Sequence, residues 1–252
     1  LPNAMHCEWT VKAAEAGKHI LCEKPLAVTI VEAERMIDAA RANGVLLMEG
    51  FTTQFQPLLP YVVETIAAGT IGRLTIVRSE LTYTIRDWEN DSRVKPELAG
   101  GALLDAGCYC VNAIRTVMGD EPVSVQAYQH VREWVGVEST FVGLMQFPGD
   151  RVAYLATGME QPFRAMLEVI GTEGRIEVPM LFSGTEVRVA AGGETHVETF
   201  EAADRFRRQL DHFSTCILEG TEPKLPPIDG LRNTAALVAL KRAAVEGRAV
   251  EV

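Results

Sequence analysis

The chain has 252 residues, of which 47% are hydrophobic and 23% are charged, and its formal net charge is −10. Such a composition is typical of a globular protein with a sizeable core, arranged as one large domain or two modest ones. The negative charge disfavours a nucleic-acid surface, and no apolar run approaches the roughly 20 residues that a membrane span needs. We therefore expect a small-molecule partner, and neither a nucleic acid nor a membrane.

Cysteine and histidine usage gives no sign of a metal site. Five cysteines lie in apolar segments without CxxC spacing, namely Cys7, Cys22, Cys108, Cys110 and Cys216. An odd set of this kind is typical of reduced thiols and predicts a cytoplasmic protein. His130, His196 and His212 show no HxH or HExxH spacing, so packed or surface histidines are the better interpretation.

The first 50 residues alternate between helical and strand-like patterns. Helix, strand, helix and strand are predicted over about 6–16, 19–23, 29–43 and 45–48. This order is typical of a parallel α/β unit. Ligands of such sheets bind beyond the carboxyl ends of the strands, which is where Glu23, Lys24 and Glu49 fall.

After Gly50 the pattern changes to one helix, over about 57–68, and then to period-two stretches. Strands are predicted over about 74–85, 123–131, 140–147, 152–159, 165–170, 175–178, 186–190 and 196–200. Hairpin turn signals separate many of them, so we predict a large, mostly antiparallel sheet, followed by two amphipathic helices. The domain boundary is placed near residue 50, giving domains of 1–50 and 51–252.

One predicted helix carries the polar side chains of most interest. It follows Gly100 and Gly101, which leave room for a ligand near the backbone, and reads ALLDAGCYCVNAIRTVMG. Asp105, Tyr109 and Asn112 stand at positions i, i+4 and i+7, so they share one helical face. A solvated face is the alternative, but such a face more often carries Lys, Glu or Arg. We therefore interpret these three residues as facing a ligand.

Lys24 and Tyr109 are the candidate proton-transfer pair. Pro25 restricts the backbone of Lys24 at the end of a buried strand, which favours a fixed, inward-facing ammonium. An ammonium beside Tyr109 would stabilise the phenolate and lower the tyrosine pKa. A solvated lysine and a core tyrosine are the alternatives, because sequence spacing says nothing about their distance. Arg93, in a loop with Trp88, is a weaker candidate for a cofactor phosphate or substrate.

Three segments resemble the Gfo/Idh/MocA family of NAD(P)-dependent oxidoreductases: PNAMHCEWTVKAAEAGKHILCEKPLA, MEGF and AGGALLDAGCY. The resemblance covers nearly the whole chain. It implies the C-terminal part of a Rossmann domain followed by an α+β domain with a large open, mostly antiparallel sheet. It also implies that Lys24 is the lysine of the EKP motif. The residues expected to line the nicotinamide side of the cofactor cleft are then Pro2, Asn3, His6, Glu23 and Pro25.

Tyr109 occupies a position where many family members have histidine. The chain thus resembles the branch containing glucose-fructose oxidoreductase, dihydrodiol dehydrogenases and some aldose dehydrogenases. That likeness implies that Tyr109 donates or accepts the proton, and that Asp105 helps to orient substrate hydroxyls. The implied reaction is hydride transfer between NAD or NADP and a sugar, polyol or dihydrodiol.

Two departures from the family pattern bear on these expectations. The segment 51–57 lacks the Arg and His that relatives often show, so we expect its substrate contacts to differ. No GxGxxG occurs, so we expect a segment upstream to supply the phosphate-binding turn and the residue that selects NAD or NADP. A non-catalytic sensor that binds a dinucleotide or sugar is the alternative function. The set of Lys24, Asp105 and Tyr109 favours the enzyme.

The predicted sheet also bears on assembly. Only one long helix is predicted among its strands, so one face should lack cover, while apolar residues point to both faces. We predict a homodimer or homotetramer that pairs these faces, as is common in the resembled family, and we expect charged substitutions at Phe141 or Met145 to dissociate it. A monomer whose loops cover the face is the alternative.

Overall fold

The structure is a computed structural model that describes all 252 residues. Its helices are α1 (His6–Glu15), α2 (Ile30–Ala42), α3 (Leu58–Ala67), α4 (Cys108–Met118), α5 (Arg205–Glu219) and α6 (Pro227–Glu246). Its strands are β1 (Ile20–Cys22), β2 (Leu47–Glu49), β3 (Leu74–Thr84), β4 (Ser124–Arg132), β5 (Val137–Phe147), β6 (Arg151–Gly158), β7 (Glu160–Gly171), β8 (Gly174–Val178), β9 (Glu186–Ala191), β10 (Glu194–Thr199) and β11 (Val250–Glu251). No helix combines the length and apolar character required to cross a membrane.

The N-terminal residues form the parallel α/β unit that their pattern predicts. Strands β1 and β2 pair in parallel, with Cys22 opposite Glu49, and α1 packs against α2. Helix α2 begins with a capping box: Thr29 Oγ1 accepts from the Glu32 amide at 3.2 Å, and the Glu32 carboxylate accepts from the Thr29 amide at 3.0 Å. This reciprocal pairing satisfies amide groups that a helix start otherwise leaves without partners.

The remaining strands form one nine-stranded sheet in the order β10-β9-β8-β7-β3-β6-β5-β4-β11. All neighbours are antiparallel except β3 and β6, which run parallel. The mostly antiparallel sheet predicted from the sequence is confirmed. The central insertion of β3 between β6 and β7 is not visible in the sequence, because turn signals report only hairpins between consecutive strands. The boundary near residue 50 stays a prediction.

The two faces of the large sheet differ in cover. On β5, Phe141 and Met145 are buried in the main core together with Leu240 of α6. Gly143 lies on the same face, and a Cβ there would stand 2.7 Å from Leu240 Cδ2. The alternating Val142 and Leu144 are exposed on the opposite face. The expectation that Phe141 and Met145 lie at a subunit interface is therefore wrong. The alternation of side chains along a strand shows which residues share a face of the sheet, but it does not show which face the helices cover.

Helix α6 connects the sheet to the N-terminal unit. It contacts α2, β2, α4 and β4. The buried Arg115 of α4 donates to Asp229 at 2.9 Å, to Asn233 at 3.2 Å and to Glu121 at 2.6 Å, which ties α4 to the start of α6. A buried guanidinium requires such partners, since leaving its charge unpaired costs several kcal/mol.

Glu49 lies at the end of β2 but is buried, not exposed in the crevice as the sequence suggested. Its Oε1 accepts from the Leu26 amide at 2.7 Å, whereas Oε2 has no hydrogen-bond partner. Gly230 of α6 lies directly over this carboxyl, where a Cβ would stand 2.9 Å from Oε2. Burial, with a smaller contribution from Asp229, raises the pKa of Glu49 to about 8.

Truncation of Phe141 tests the position of the core. Phe141→Ala leaves a cavity beneath α6 and should lower the free energy of unfolding by about 3–5 kcal/mol. Phe206→Ala on α5 is the matched control, because that ring is 56% exposed, and it should cost less than about 1 kcal/mol. Urea titration followed by circular dichroism measures both. Equal losses would contradict the burial of Phe141.

The raised pKa of Glu49 predicts that the stability of the folded chain depends on pH. Its pKa is raised by folding from 4.5 to about 8, so between these values the folded chain binds more protons than the unfolded chain. The stabilisation by the protonated carboxyl is complete below pH 4.5 and is lost as the pH rises through about 8. Glu49→Gln cannot ionise and should not show this loss.

The expected signal is a change in the stability difference between the two proteins. From pH 5 to pH 9, wild type should lose on the order of 3–5 kcal/mol relative to Glu49→Gln. Denaturant titrations at several pH values measure this, with Glu64→Gln on the exposed side of α3 as control. A pH-independent difference between wild type and Glu49→Gln would refute the raised pKa.

Candidate active site

A polar cleft of about 670 Å³ opens where β1 ends, beside the segment that precedes α4. Its lining comes from the chain start, the end of β1, the 91–100 loop and the turn before α4: Leu1, Pro2, Asn3, Glu23, Lys24, Asp91, Ser92, Arg93, Leu98, Gly100 and Asp105. The carboxyl ends of parallel strands are where α/β proteins bind ligands. The cleft is thus at the position that the topology predicts.

Lys24 is fixed in this cleft by Asp105. Its Nζ donates to the Asp105 carbonyl oxygen at 2.6 Å and to Oδ1 at 2.9 Å. The side chains of Lys24 and Asp105 are only 14% and 20% exposed. Burial by itself lowers the pKa of the Lys24 ammonium, but interactions with the ionised form of Cys108 and with the Asp105 carboxylate raise it by more, so the pKa lies above its ordinary value. Lys24 is therefore a cation at neutral pH.

Asp105 is in a π turn, Leu103–Gly107, which precedes α4. Such turns hold one residue more than an α turn and often occur at functional sites. Gly101 before it has φ 114° and no room for a Cβ, because the Glu138 carboxylate fills that space and accepts from the Leu103 amide at 3.2 Å. Gly101 therefore admits the Glu138 side chain and not a ligand, whereas Gly100 lines the cleft and approaches the Arg93 carbonyl.

Tyr83 of β3 is a site residue that the sequence did not reveal. Its hydroxyl donates a hydrogen bond to Asp105 Oδ2, while Lys24 occupies Oδ1. Both oxygens of the carboxylate therefore accept hydrogen bonds within the chain. A tyrosine in a period-two strand gives no signal of such a partner, because strand pattern reports only which face a residue is on.

Tyr109 is next to Lys24 but is not among the residues that line the cleft. Its ring packs edge-on against Phe51 at 5.2 Å and Phe182 at 4.8 Å between centroids, and Lys24 Nζ is 5.0 Å from its centre. Burial raises the pKa of Tyr109 to about 12, although Lys24 acts in the opposite direction. The expected net lowering of this pKa is wrong, since loss of hydration outweighs the ammonium.

Asn112 is not brought to the cleft. It is buried, accepts from Gln54 Nε2 at 2.7 Å and donates to Asp229 Oδ2 at 3.5 Å. The extra residue in the π turn rotates Asn112 away from the face on which Asp105 lies, so the simple helical spacing failed here. Asn112 holds the segment around Gln54 against α4 and α6, which is a packing role.

The residues expected beside nicotinamide divide into two groups. Pro2, Asn3 and Glu23 line the cleft, and Asn3 Nδ2 donates to the Ala99 carbonyl at 2.8 Å. His6 is buried behind them, with one ring nitrogen 2.8 Å from the Pro25 carbonyl and the other 3.1 Å from the Leu1 carbonyl. His6 therefore fastens the chain start to the EKP turn, in which the Lys24–Pro25 peptide is cis.

Arg93 enters the cleft, as its loop position allowed. Its Nε and Nη2 donate to the two oxygens of Asp91 at 2.9 and 2.6 Å, and the guanidinium stands over the Tyr83 ring at 5.3 Å. The hydrogen bonds to Asp91 raise the pKa of Arg93. Trp88 from the same loop instead packs near Trp134, at 6.0 Å between ring centroids.

The residues present fit the nicotinamide end of the dinucleotide that the family resemblance implies. The cleft lies beyond the carboxyl ends of parallel strands and is mostly polar. Asn3 and Glu23, which line the cleft, would hold the nicotinamide and adjoining ribose, since amide and carboxylate groups match their hydrogen-bonding edges.

Two parts of the chain match sequence profiles of known families. Residues 1–51 match the oxidoreductase family with an NAD-binding Rossmann fold, and residues 61–177 match the GFO/IDH/MocA C-terminal domain. The matched segments are the ones that meet at the cleft.

Individual relatives agree with this assignment. D-xylose 1-dehydrogenase (NADP(+)) 2 from Haloferax volcanii is 31% identical over all of this chain and 78% of its own. Trans-1,2-dihydrobenzene-1,2-diol dehydrogenase from Xenopus laevis is 29% identical, over 97% of this chain and 75% of its own. The crystal structure of aldose-aldose oxidoreductase from Caulobacter crescentus with glycerol is 33% identical and superposes with a TM-score of 0.93, covering 100% of this chain and 77% of that one.

A further crystal structure contains the cofactor. The 3-ketoreductase KijD10 from Actinomadura kijaniata, in complex with NADP and TDP-benzene, is 28% identical with a TM-score of 0.91, over 96% of this chain and 76% of that one. Profiles, relatives and fold agree, and the resemblance read from the EKP and GGALLDAGCY segments is confirmed: the chain belongs to the Gfo/Idh/MocA family of NAD(P)-dependent oxidoreductases.

Proposed function

We propose that the protein interconverts a secondary alcohol and a carbonyl on a sugar, polyol or dihydrodiol, with Lys24, Asp105 and Tyr109 as its working residues. One observation carries the proposal: Lys24 forms a single cluster with Asp105, 81 residues away in sequence, and with Tyr109 at the carboxyl end of β1. The names of the xylose and dihydrodiol dehydrogenases above support the substrate class. Bound NAD(P) would accept or supply the hydride.

Lys24 binds the reacting oxygen in this proposal. Its ammonium has three donors, two of which point to Asp105, so one remains for a substrate oxygen. A fixed cation at that oxygen stabilises the negative charge that develops during hydride transfer. Asp105 holds the ammonium in place, and the remaining lone pairs of its carboxylate can accept from a neighbouring substrate hydroxyl.

Tyr109 moves the proton. Its raised pKa of about 12 keeps the phenol protonated at neutral pH, so it can donate to a developing alkoxide when a carbonyl is reduced. Oxidation needs the reverse transfer, and the Lys24 ammonium at 5.0 Å from the ring centre favours it by stabilising the phenolate. The rings of Phe51 and Phe182 exclude water from the flanks of Tyr109.

Replacement of Lys24 tests the proposed role. Lys24→Met in the complete protein should lower kcat by about 10²–10⁴-fold, because the charge at the reacting oxygen is lost. Turnover is followed by absorbance of the reduced nicotinamide with a panel of aldoses, inositols and dihydrodiols. Lys18→Met, at an exposed position outside the cleft, is the control and should be unaffected.

Two outcomes would count against the proposal. Near-normal turnover of a folded Lys24→Met protein would exclude the role of this lysine. Binding of NAD(P) by wild type without turnover of any substrate in the panel would favour the sensor. Circular dichroism of Lys24→Met separates loss of chemistry from loss of fold.

The uncovered face of the large sheet supports a homodimer. Its exposed apolar side chains include Tyr128, Val142, Leu144, Val152 and Phe163. Apolar patches of this kind usually mark interfaces, and a two-fold pairing of one face with itself is the simplest closed arrangement. We infer that two copies pair through this face, alone or as half of a tetramer.

The cytoplasm remains our proposal for the location of the protein, supported by five cysteines that are all buried free thiols.

A charge on the uncovered face tests the homodimer. Leu144→Asp places a carboxylate in the centre of the proposed interface, where burial without a partner is costly, and should give monomers in sedimentation velocity at micromolar concentration. Leu210→Asp on α5 is matched in exposure, at 55% against 53% for Leu144, and should leave the assembly unchanged. A monomeric wild type would contradict the inference.

A further inference from the structure

Tyr83 makes a contact that the proposed chemistry does not use. Its hydroxyl donates to Asp105 Oδ2, on the opposite side of the carboxylate from the Lys24 ammonium, which donates to Oδ1 at 2.9 Å. The three side chains therefore form a continuous row, Tyr83, Asp105 and Lys24. Only Lys24 in this row is proposed to bind the reacting oxygen.

The strand geometry around Tyr83 aims its side chain. The register between β3 and β7 shifts once across this residue: Thr82 pairs with Arg164, whereas Thr84 pairs with Glu160. Irregularities of this kind redirect a side chain and occur often beside active sites. Arg93 then covers the Tyr83 ring at 5.3 Å. The backbone irregularity and the Arg93 guanidinium thus both fix the position of the Tyr83 side chain.

Asp105 needs such a contact more than most side chains. The terminal torsion of an aspartate joins sp³ and sp² atoms and has no sharp staggered minima, so one hydrogen bond leaves the carboxylate free to turn. Donors on both oxygens remove that freedom. Lys24 depends on Asp105 in turn, because the four-carbon stem of a lysine does not define the position of its ammonium.

We propose that Tyr83 is a positioning residue of this oxidoreductase, which orients the Asp105 carboxylate and through it places the Lys24 ammonium at the reacting oxygen. The inference rests on the proposed roles of Asp105 and Lys24. It assigns Tyr83 no proton transfer. In agreement with this, burial, with Asp105 adding to it, raises the pKa of Tyr83 above its ordinary value, so the phenol remains a neutral donor.

Removal of the hydroxyl alone is the direct test. Tyr83→Phe keeps the ring and its contact with Arg93, so the fold should be retained. We expect kcat to fall about tenfold, since a displaced catalytic group costs rate steeply, while KM for NAD(P) is unchanged. Tyr61→Phe is the control, because the Tyr61 ring packs on Phe200 at 5.5 Å, away from the cleft, and it should leave both constants unchanged. An unchanged kcat for Tyr83→Phe would overturn the inference.

A double-mutant cycle shows whether Tyr83 acts through Asp105. Tyr83→Phe introduced into Asp105→Asn should cause little further loss, because the carboxylate that it orients is already absent. Losses that multiply would overturn the route through Asp105. If Asp105→Asn and Lys24→Met both retain normal turnover, the proposed function is wrong, whatever Tyr83→Phe shows. If they lose turnover while Tyr83→Phe does not, only the present inference fails.

A crystal structure of Tyr83→Phe gives a reading that does not depend on turnover. The inference requires the Asp105 carboxylate to rotate and the Lys24 Nζ to Oδ1 distance to lengthen beyond the 2.9 Å of the wild-type chain. An unchanged carboxylate and an unchanged distance would overturn it. Tyr61→Phe again serves as the reference for changes that loss of any phenol produces.

Discussion

The ion pair between Lys24 and Asp105 is the contact on which the site depends. It joins the end of a parallel strand to a π turn that belongs to the segment preceding α4. A largely buried ammonium is stable only with a partner of opposite charge and good geometry. The requirement therefore couples two pieces of chain that are distant in sequence: if either shifts, Lys24 loses its anion and Tyr109 loses the cation beside its ring.

Much of this arrangement could be read from the sequence, for definite physical reasons. Helical and strand periodicities reflect burial, so they located the helices and the main strands, including the helix predicted from residue 29, which is α2. The EKP segment indicated Lys24 at a strand end. Contacts between residues distant in sequence could not be predicted: β3 pairs with β6 and β7, and no turn signal records these pairings.

The errors at the site have a common origin in local environment. A regular helix would have placed Asn112 beside Asp105, but the π turn changes the register, and no residue type encodes such a turn uniquely. The pKa of Tyr109 was expected to follow its charged neighbour, yet the packing of Phe51 and Phe182 around the ring decides its direction. Desolvation depends on surrounding volume, which sequence spacing does not report.

Helix α6 has a consequence for the order in which the molecule can be completed. Leu231 near its start packs into the small core of the N-terminal unit, whose other members come from the first 47 residues, while Leu237 and Leu240 lie in the core of the large sheet. The core of the N-terminal unit therefore stays incomplete until α6, Pro227–Glu246, has been synthesised and can pack against it. Contacts between parts of the chain that are far apart in sequence slow folding, because the conformational entropy of the long intervening loop must be lost before these contacts form.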